Sequence, residues 1–129
     1  MSNTYTQLSF TVSVPKEAAN YAIDLNAQLQ ESGDFPTGCD LYYDNERGTL
    51  WVVGDESANA DAIGDVLQKM LAKFNISGAV VIHWALTCSK MMSDEFCGGT
   101  VIVTKDTVIT HRPFDWAEDK LAELGTTAL

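Results

Sequence analysis

Gln7-Leu8-Ser9-Phe10-Thr11-Val12-Ser13-Val14-Pro15, followed at once by Lys16-Glu17-Ala18-Ala19, is the stretch on which the fold turns. Apolar Leu8, Phe10, Val12 and Val14 alternate with polar Gln7, Ser9, Thr11 and Ser13, the period of a strand with one buried face and one polar face. Pro15 follows, and its fixed φ suits the first position of a helix. The period then changes. Ala18, Ala22, Leu25 and Leu29 recur at helical spacing, so residues 16 to about 31 read as an amphipathic helix, with Gly33 as its stop. A strand with a polar outer face leading into such a helix predicts a sheet covered by helices on one side and partly open on the other.

Working outward, residues 39–43 and 49–53 are rich in β-formers and flank Asp44-Asn45-Glu46-Arg47-Gly48, a hairpin with a five-residue loop. A second helix is expected from about 58 to 74, with Ala60, Ile63, Leu67, Met70 and Phe74 as its apolar stripe. Asp61, Asp65, Lys69 and Lys73 lie four apart on another stripe, acids first and bases last, an order that suits the helix dipole. Gly64 inside that helix costs roughly 1 kcal/mol relative to Ala and points to a close packing contact. Ala79 to Leu86 is apolar on both faces except for His83, so it is expected in the middle of the sheet. Thr87 to Gly99 reads as a loop. Residues 100–103 and 107–110 form a second hairpin around Lys105-Asp106. Asp115 and Glu118 then make a capping box for a last helix, with Ala117, Leu121 and Leu124 as its stripe and Gly125 as its stop. Trp51 and Trp84 are placed in the core. The fold expected is α+β: a ferredoxin-like β-α-β-β-α-β core with a C-terminal β-hairpin and short helix, in a single domain over 1–129.

Length and composition set further bounds. A chain of 129 residues with 46% hydrophobic content buries one sizeable core. Its longest apolar run is far too short to span a bilayer. The first residues carry neither a basic nor an apolar targeting segment, so a cytoplasmic location is expected. Three cysteines, Cys39, Cys88 and Cys97, with no CxxC pair, argue for reduced thiols rather than a disulfide scaffold. The net charge is −10, and all of it arises between Glu17 and Asp65, where eleven acids face one base, Arg47. Such a field repels phosphate backbones, so direct nucleic-acid binding is not expected and a partner with a basic surface is.

Within that half, Glu17, Asp24 and Glu31 are seven apart and fall in a narrow arc of the first helix. With the hairpin acids Asp44 and Glu46 they are the expected binding residues. Asp34, Asp40, Asp55 and Glu56 would extend one negative surface. The alternative is a small cysteine-dependent enzyme or ligand-binding domain using the 87–99 loop. Cys88 would be its nucleophile, Lys90 would lower the thiol pKa, and His83 or His111 would act as base. A Cys2His2 metal set of His83, Cys88, Cys97 and His111 has gaps too wide for a usual zinc site, so no metal is expected. No phosphate loop, GxGxxG, GxSxG or HExxH is present, and no cofactor is expected. A third reading is a structural subunit that oligomerises, for instance as a homodimer, through an exposed edge strand.

One segment resembles a known group. Trp84-Ala85-Leu86-Thr87-Cys88-Ser89-Lys90, then Phe96-Cys97-Gly98-Gly99 leading into Val101-Ile102-Val103 and a helix with Trp116, is similar to the C-terminal part of small acidic proteins of phages and plasmids. That group has no agreed activity to carry over. The resemblance implies an accessory protein of a mobile element that binds a host protein. By analogy with small acidic inhibitors of host defence, it would be an anti-CRISPR-like inhibitor presenting a nucleic-acid-mimicking surface.

Overall fold

The computed structural model of the chain describes residues 4–33, 35–88 and 97–127, without the side chain of Phe114. The elements are β1 (Thr4–Ser13), α1 (Lys16–Ser32), β2 (Asp40–Asp44), β3 (Thr49–Gly54), α2 (Ala60–Lys73), β4 (Val80–Cys88), β5 (Cys97–Val103), β6 (Val108–His111) and α3 (Pro113–Leu124). The strands form one six-stranded sheet in the order β2-β3-β1-β4-β5-β6, every neighbouring pair antiparallel. The fold class is thus mixed α+β, with three helices. Helix α1 joins β1 to β2, which flank β3, and α2 joins β3 to β4, which flank β1.

The alternation in β1 sets the layering. Leu8 and Val14 are buried and Phe10 and Val12 half-buried, while Gln7, Ser9, Thr11 and Ser13 are exposed. On the buried side, Leu50, Val52, Ile82, Val101 and Val103 meet Ala18, Ala19 and Ala22 of α1 and Ile63, Val66, Leu67 and Met70 of α2. The three alanines let α1 lie close to the sheet. Gly64 does the same for α2: a Cβ there would stand 3.4 Å from Val101 and 3.5 Å from Val108. Helix α1 follows Pro15 and ends at left-handed Gly33, whose N–H donates to the Leu29 carbonyl. Helix α2 is capped by Asn59, whose side chain accepts from the Ala62 N–H at 3.1 Å.

A buried polar knot holds the two turns at the far end of these helices. The Asn26 amide donates to the Cys39 carbonyl at 3.0 Å, and Gln30 donates to the same oxygen at 2.7 Å. The Thr37 hydroxyl donates to the Asn26 side-chain oxygen and accepts from the Cys39 N–H at 3.3 Å. The Asn59 N–H donates to the Thr37 carbonyl at 2.8 Å, which ties this turn to the start of α2. Gly38 is left-handed, and a Cβ on it would fall 2.0 Å from the Ser57 carbonyl oxygen. The 54–58 segment in turn clips onto β1 through Thr6 N–H to Glu56 O at 2.9 Å and Ala58 N–H to Thr6 O at 3.2 Å.

Several expectations from the sequence are corrected. Thr87, Cys88 and Cys97–Gly99 belong to strands, so the long loop is shorter than expected, and residues 89–96 lie outside the described ones. The paired glycines, expected in the loop, instead lie in β5 and allow close packing against β4. Gly99 pairs with Trp84, and a Cβ on it would stand 2.7 Å from the indole nitrogen. Strand β4 is not buried on both faces: Val81, His83 and Ala85 are exposed. Trp84 packs against the core, but Trp51 is 43% exposed on the open face. Asp115 is not the cap of α3. Arg112 occupies that position, Pro113 begins the helix, and Asp115 sits in its first turn. Of the expected α3 stripe, Leu121 is half-buried while Ala117 and Leu124 are exposed, so this helix adds little to the core.

The knot predicts a contrast between two left-handed glycines. Gly33→Ala meets nothing within 4 Å and should cost about 1 kcal/mol, the penalty of the backbone angle alone. Gly38→Ala adds the collision with Ser57 and should cost at least about 3 kcal/mol in urea unfolding. Equal losses would mean that the two turns are not locked together.

Candidate functional site

Helix α1 carries the candidate site. At 100° per residue, Glu17, Asp24 and Glu31 fall within an arc of about 40°, on the side opposite buried Ala18, Ala22 and Asn26, and span about 21 Å along the axis. All three are exposed. Among the described residues, no basic side chain lies within ion-pair distance of any of them. The β2–β3 turn sits against the start of this helix. The Val14 N–H donates to the Gly48 carbonyl at 3.3 Å, and the Tyr43 hydroxyl donates to the Val14 carbonyl at 3.3 Å. Asp44 and Glu46 therefore share an end of the molecule with Glu17.

The two hairpin acids differ in role. Asp44 Oδ1 accepts from the Glu46 N–H at 3.0 Å and from the Arg47 N–H at 3.2 Å, so it shapes its own turn. Its other oxygen lies 3.9 Å from Arg47. The Glu46 side chain is exposed and takes no part in these bonds. Asp40 stands exposed on β2, in phase with Tyr42 and so on the face of the sheet away from α1. Asp55 and Glu56 lie in the turn before α2, at the other end of β3 from the hairpin, and Asp34 is outside the described residues. Thus α1 gathers Glu17, Asp24 and Glu31 along its solvent side, Glu46 lies in the turn near its start, and Asp40 and Asp44, in phase with Tyr42, belong to the open face of the sheet. Four bases of the second half have partners other than these carboxylates, one of them on α1 itself. Arg112 pairs with Asp61 at 3.2 Å, Lys120 with Glu123 at 3.0 Å, Lys105 donates to Asn75 at 2.8 Å, and Lys73 lies over the Tyr21 ring.

The thiol constellation does not assemble. His83 and Cys88 are five apart on one strand, an odd separation that sends their side chains to opposite faces. His83 lies exposed on the open face, 3.1 Å from the Thr100 hydroxyl. Cys88 is half-buried on the helix side, and Lys90 lies outside the described residues. His111 pairs in register with Thr100, on the face of His83 and away from Cys88 and Cys97. Accordingly, no group of three or more metal-ligating side chains occurs among the described residues. A shallow cleft of about 320 Å³ opens between Thr6, Ser57, Asn59, Asp61, Trp84 and Arg112. The Asp61–Arg112 pair neutralises its one charge of each sign. No helix of the described residues is long and apolar enough to cross a membrane.

One feature escaped the sequence reading. The open face carries Tyr42, Trp51, Val81, Ile102 and Ile109, each between 38 and 54% exposed. Strand register sets Tyr42 beside Trp51, and Ile102 beside both Val81 and Ile109, two apolar groups on the same face to either side of β1. The signal was present as apolar residues at consecutive positions, Val80-Val81-Ile82 and Val101-Ile102-Val103, but it reads equally as a strand buried on both faces.

Cys39 gives a pH test of the fold beneath the site. Burial pushes its thiol up to about 11 from an ordinary 9.0, with the nearby Asp40 carboxylate adding to the shift. Above pH 9 the unfolded thiol ionises while the folded one stays protonated, so its contribution to stability falls as pH rises to 11. Replacing Cys39 with Ala should flatten the loss of unfolding free energy over that window by up to roughly 2–3 kcal/mol. Identical slopes for the two proteins would contradict a buried, protonated Cys39.

The chain matches no family model, no curated protein and no solved structure.

Proposed function

We propose that this chain is a non-catalytic binding protein of a phage or other mobile element that docks its acidic α1 side on a basic surface of a host protein. The observation that carries the reading is the unpaired ridge of Glu17, Asp24 and Glu31 on the solvent side of α1. Carboxylates held on a rigid helix, with no ion pair to a described cation of their own chain, lose no such partner when they meet an external one. Their field steers association and makes it sensitive to salt. Glu46 extends the contact, while Asp44 chiefly holds the hairpin.

An anti-CRISPR-like inhibitor that occupies a nucleic-acid channel is the specific form of this reading. Its support is the sign and the length of the ridge. Carboxylates about 10 Å apart along a helix are sparser than the charges of a duplex, one per about 1.7 Å. Docking therefore rests on a few placed carboxylates rather than on imitation of the whole phosphate lattice. The strand order 2-3-1-4 within the sheet, with α1 and α2 on one face, supports a ferredoxin-like core extended by β5 and β6. The thiol-enzyme alternative has less support, because Cys88 has no imidazole on its own face of the sheet.

Two triple variants of equal net charge test the proposal. Glu17→Lys, Asp24→Lys and Glu31→Lys alter the ridge, whereas Asp65→Lys, Asp106→Lys and Asp119→Lys alter exposed acids elsewhere. Exposed substitutions of this kind shift stability by only about 0.5 kcal/mol each. With immobilised protein and lysate of the natural host, the ridge variant should lose capture of the wild-type partners at least about tenfold, and the control should keep it. Equal capture by both variants would remove the acidic ridge as the docking site.

A further inference from the structure

We infer that the open face of the sheet is the interface of a symmetric dimer, covered by a second copy of this chain. The inference is independent of the acidic ridge, which lies on the other side of the molecule.

The first observation is where the charge is not. The chain has 26 charged side chains, yet the six strands together hold two, Asp40 and Asp44, both on edge strand β2. Among the described residues, no lysine or arginine occurs in a strand. Solvated sheet faces usually carry mixed charge, whereas charge is depleted at the centre of interfaces. In its place stand Tyr42, Trp51, Val81, Ile102 and Ile109. The Tyr42 and Trp51 rings lie 5.5 Å apart, and the Trp51 indole N–H is already satisfied by the Ser9 hydroxyl at 2.9 Å. Trp51 can therefore be covered without stranding its donor.

The second observation is that the face complements itself. The midline of the sheet falls between β1 and β4. A two-fold axis along that midline, parallel to the strands, would lay β2 of one copy on β6 of the other, and β3 on β5. Aromatic Tyr42 and Trp51 would then meet aliphatic Ile109 and Ile102. One row further along, Asp40 and His83 lie level with Val53 and Thr100, and His111 pairs with Thr100. The same axis sets Asp40 against His111, an acceptor-only carboxylate against an imidazole that can donate. A strongly charged partner would find almost nothing on this face to pair with, and a second copy finds its complement.

Area and edges agree. Six strands four to ten residues long, spaced about 4.8 Å apart with a rise of about 3.3 Å per residue, give a flat footprint of about 650 Å², before side-chain relief is counted. A standard interface buries roughly 800 Å² per partner, so a reversible dimer is expected rather than a permanent one. Two such sheets would stack about 10 Å apart, as in a sandwich. Pairing through sheet edges is less suited. β2 has five residues with a carboxylate at each end, and β6 has four residues and is followed closely by Pro113.

Sedimentation velocity over a dilution series tests this on the full chain. The wild type should show a monomer–dimer equilibrium with a dissociation constant of about 1–100 µM. Added salt should leave it unchanged or strengthen it, because the two acidic ridges repel each other. The Glu17→Lys, Asp24→Lys, Glu31→Lys protein should still dimerise. Ile102→Lys and Ile109→Lys should each be monomeric at the highest concentration, with circular dichroism reporting whether the fold is kept. A charge exchange guards against a misfolded lysine variant. Asp40→Lys and His111→Asp should each weaken dimerisation at least about tenfold, and the double variant should recover most of the loss. A wild type that stays monomeric throughout would overturn the inference. So would a dimer that survives in folded Ile109→Lys, or an exchange without recovery.

Discussion

Six strands lie in one layer, and the two long helices that return between them occupy a single face of it. The handedness of such returns leaves little choice. A right-handed crossover from β1 to β2 and another from β3 to β4 run in opposite directions along oppositely directed strands, so both helices arrive on the same side. Everything else follows from that one-sided cover. The helix side buries Leu50, Val52, Ile82, Val101 and Val103, and its outer surface bears the carboxylates. Among the described residues, the other side of the same strands receives no layer of its own. Its aromatic and aliphatic side chains are consequently the largest chemical asymmetry in the molecule.

The covered side is held at one end by polar rather than apolar contacts. Asn26, Thr37, Gln30 and the Cys39 carbonyl form a satisfied network where α1 turns into β2, and Asn59 carries it to the start of α2. No buried side-chain polar atom among the described residues is left without a partner. Such a network specifies geometry more than it adds stability, since each bond replaces one to water. Here it sets the position of α1 on the sheet edge, and so the line along which Glu17, Asp24 and Glu31 face solvent. Gly38 and Gly54 have no room for a larger side chain because the two turns interlock there.

Much of this was legible in the sequence. Where apolar residues alternate cleanly, as in β1, or recur at helical spacing, as in α1 and α2, periodicity alone gives the element and its buried face. The acids of α1 were legible for the same reason, since a seven-residue spacing returns to nearly the same azimuth. The polar knot was not, because Asn26 and Thr37 are distant in sequence and neither breaks a pattern. Trp51, Val81 and Ile102 misled in the opposite way. A strand apolar at consecutive positions implies two buried faces, and nothing local says whether the second cover comes from the same chain. Gly98 and Gly99 were read as loop glycines, although Gly99 answers to the Trp84 ring across the strand pair. His83 and Cys88 were paired on chemistry alone, and strand parity separates them.

The molecule divides into a carboxylate-lined helix side proposed to meet other proteins and a mostly uncharged sheet face proposed to meet its own kind. Hydroxyl-radical footprinting at low and at high micromolar concentration tests that division most directly, because it reads cover side chain by side chain. Oxidation of Tyr42 and Trp51 should fall several-fold as concentration rises, while exposed Phe35 and Trp116 label equally at both. Tyr42 and Trp51 labelled as readily at high concentration as at low would contradict it.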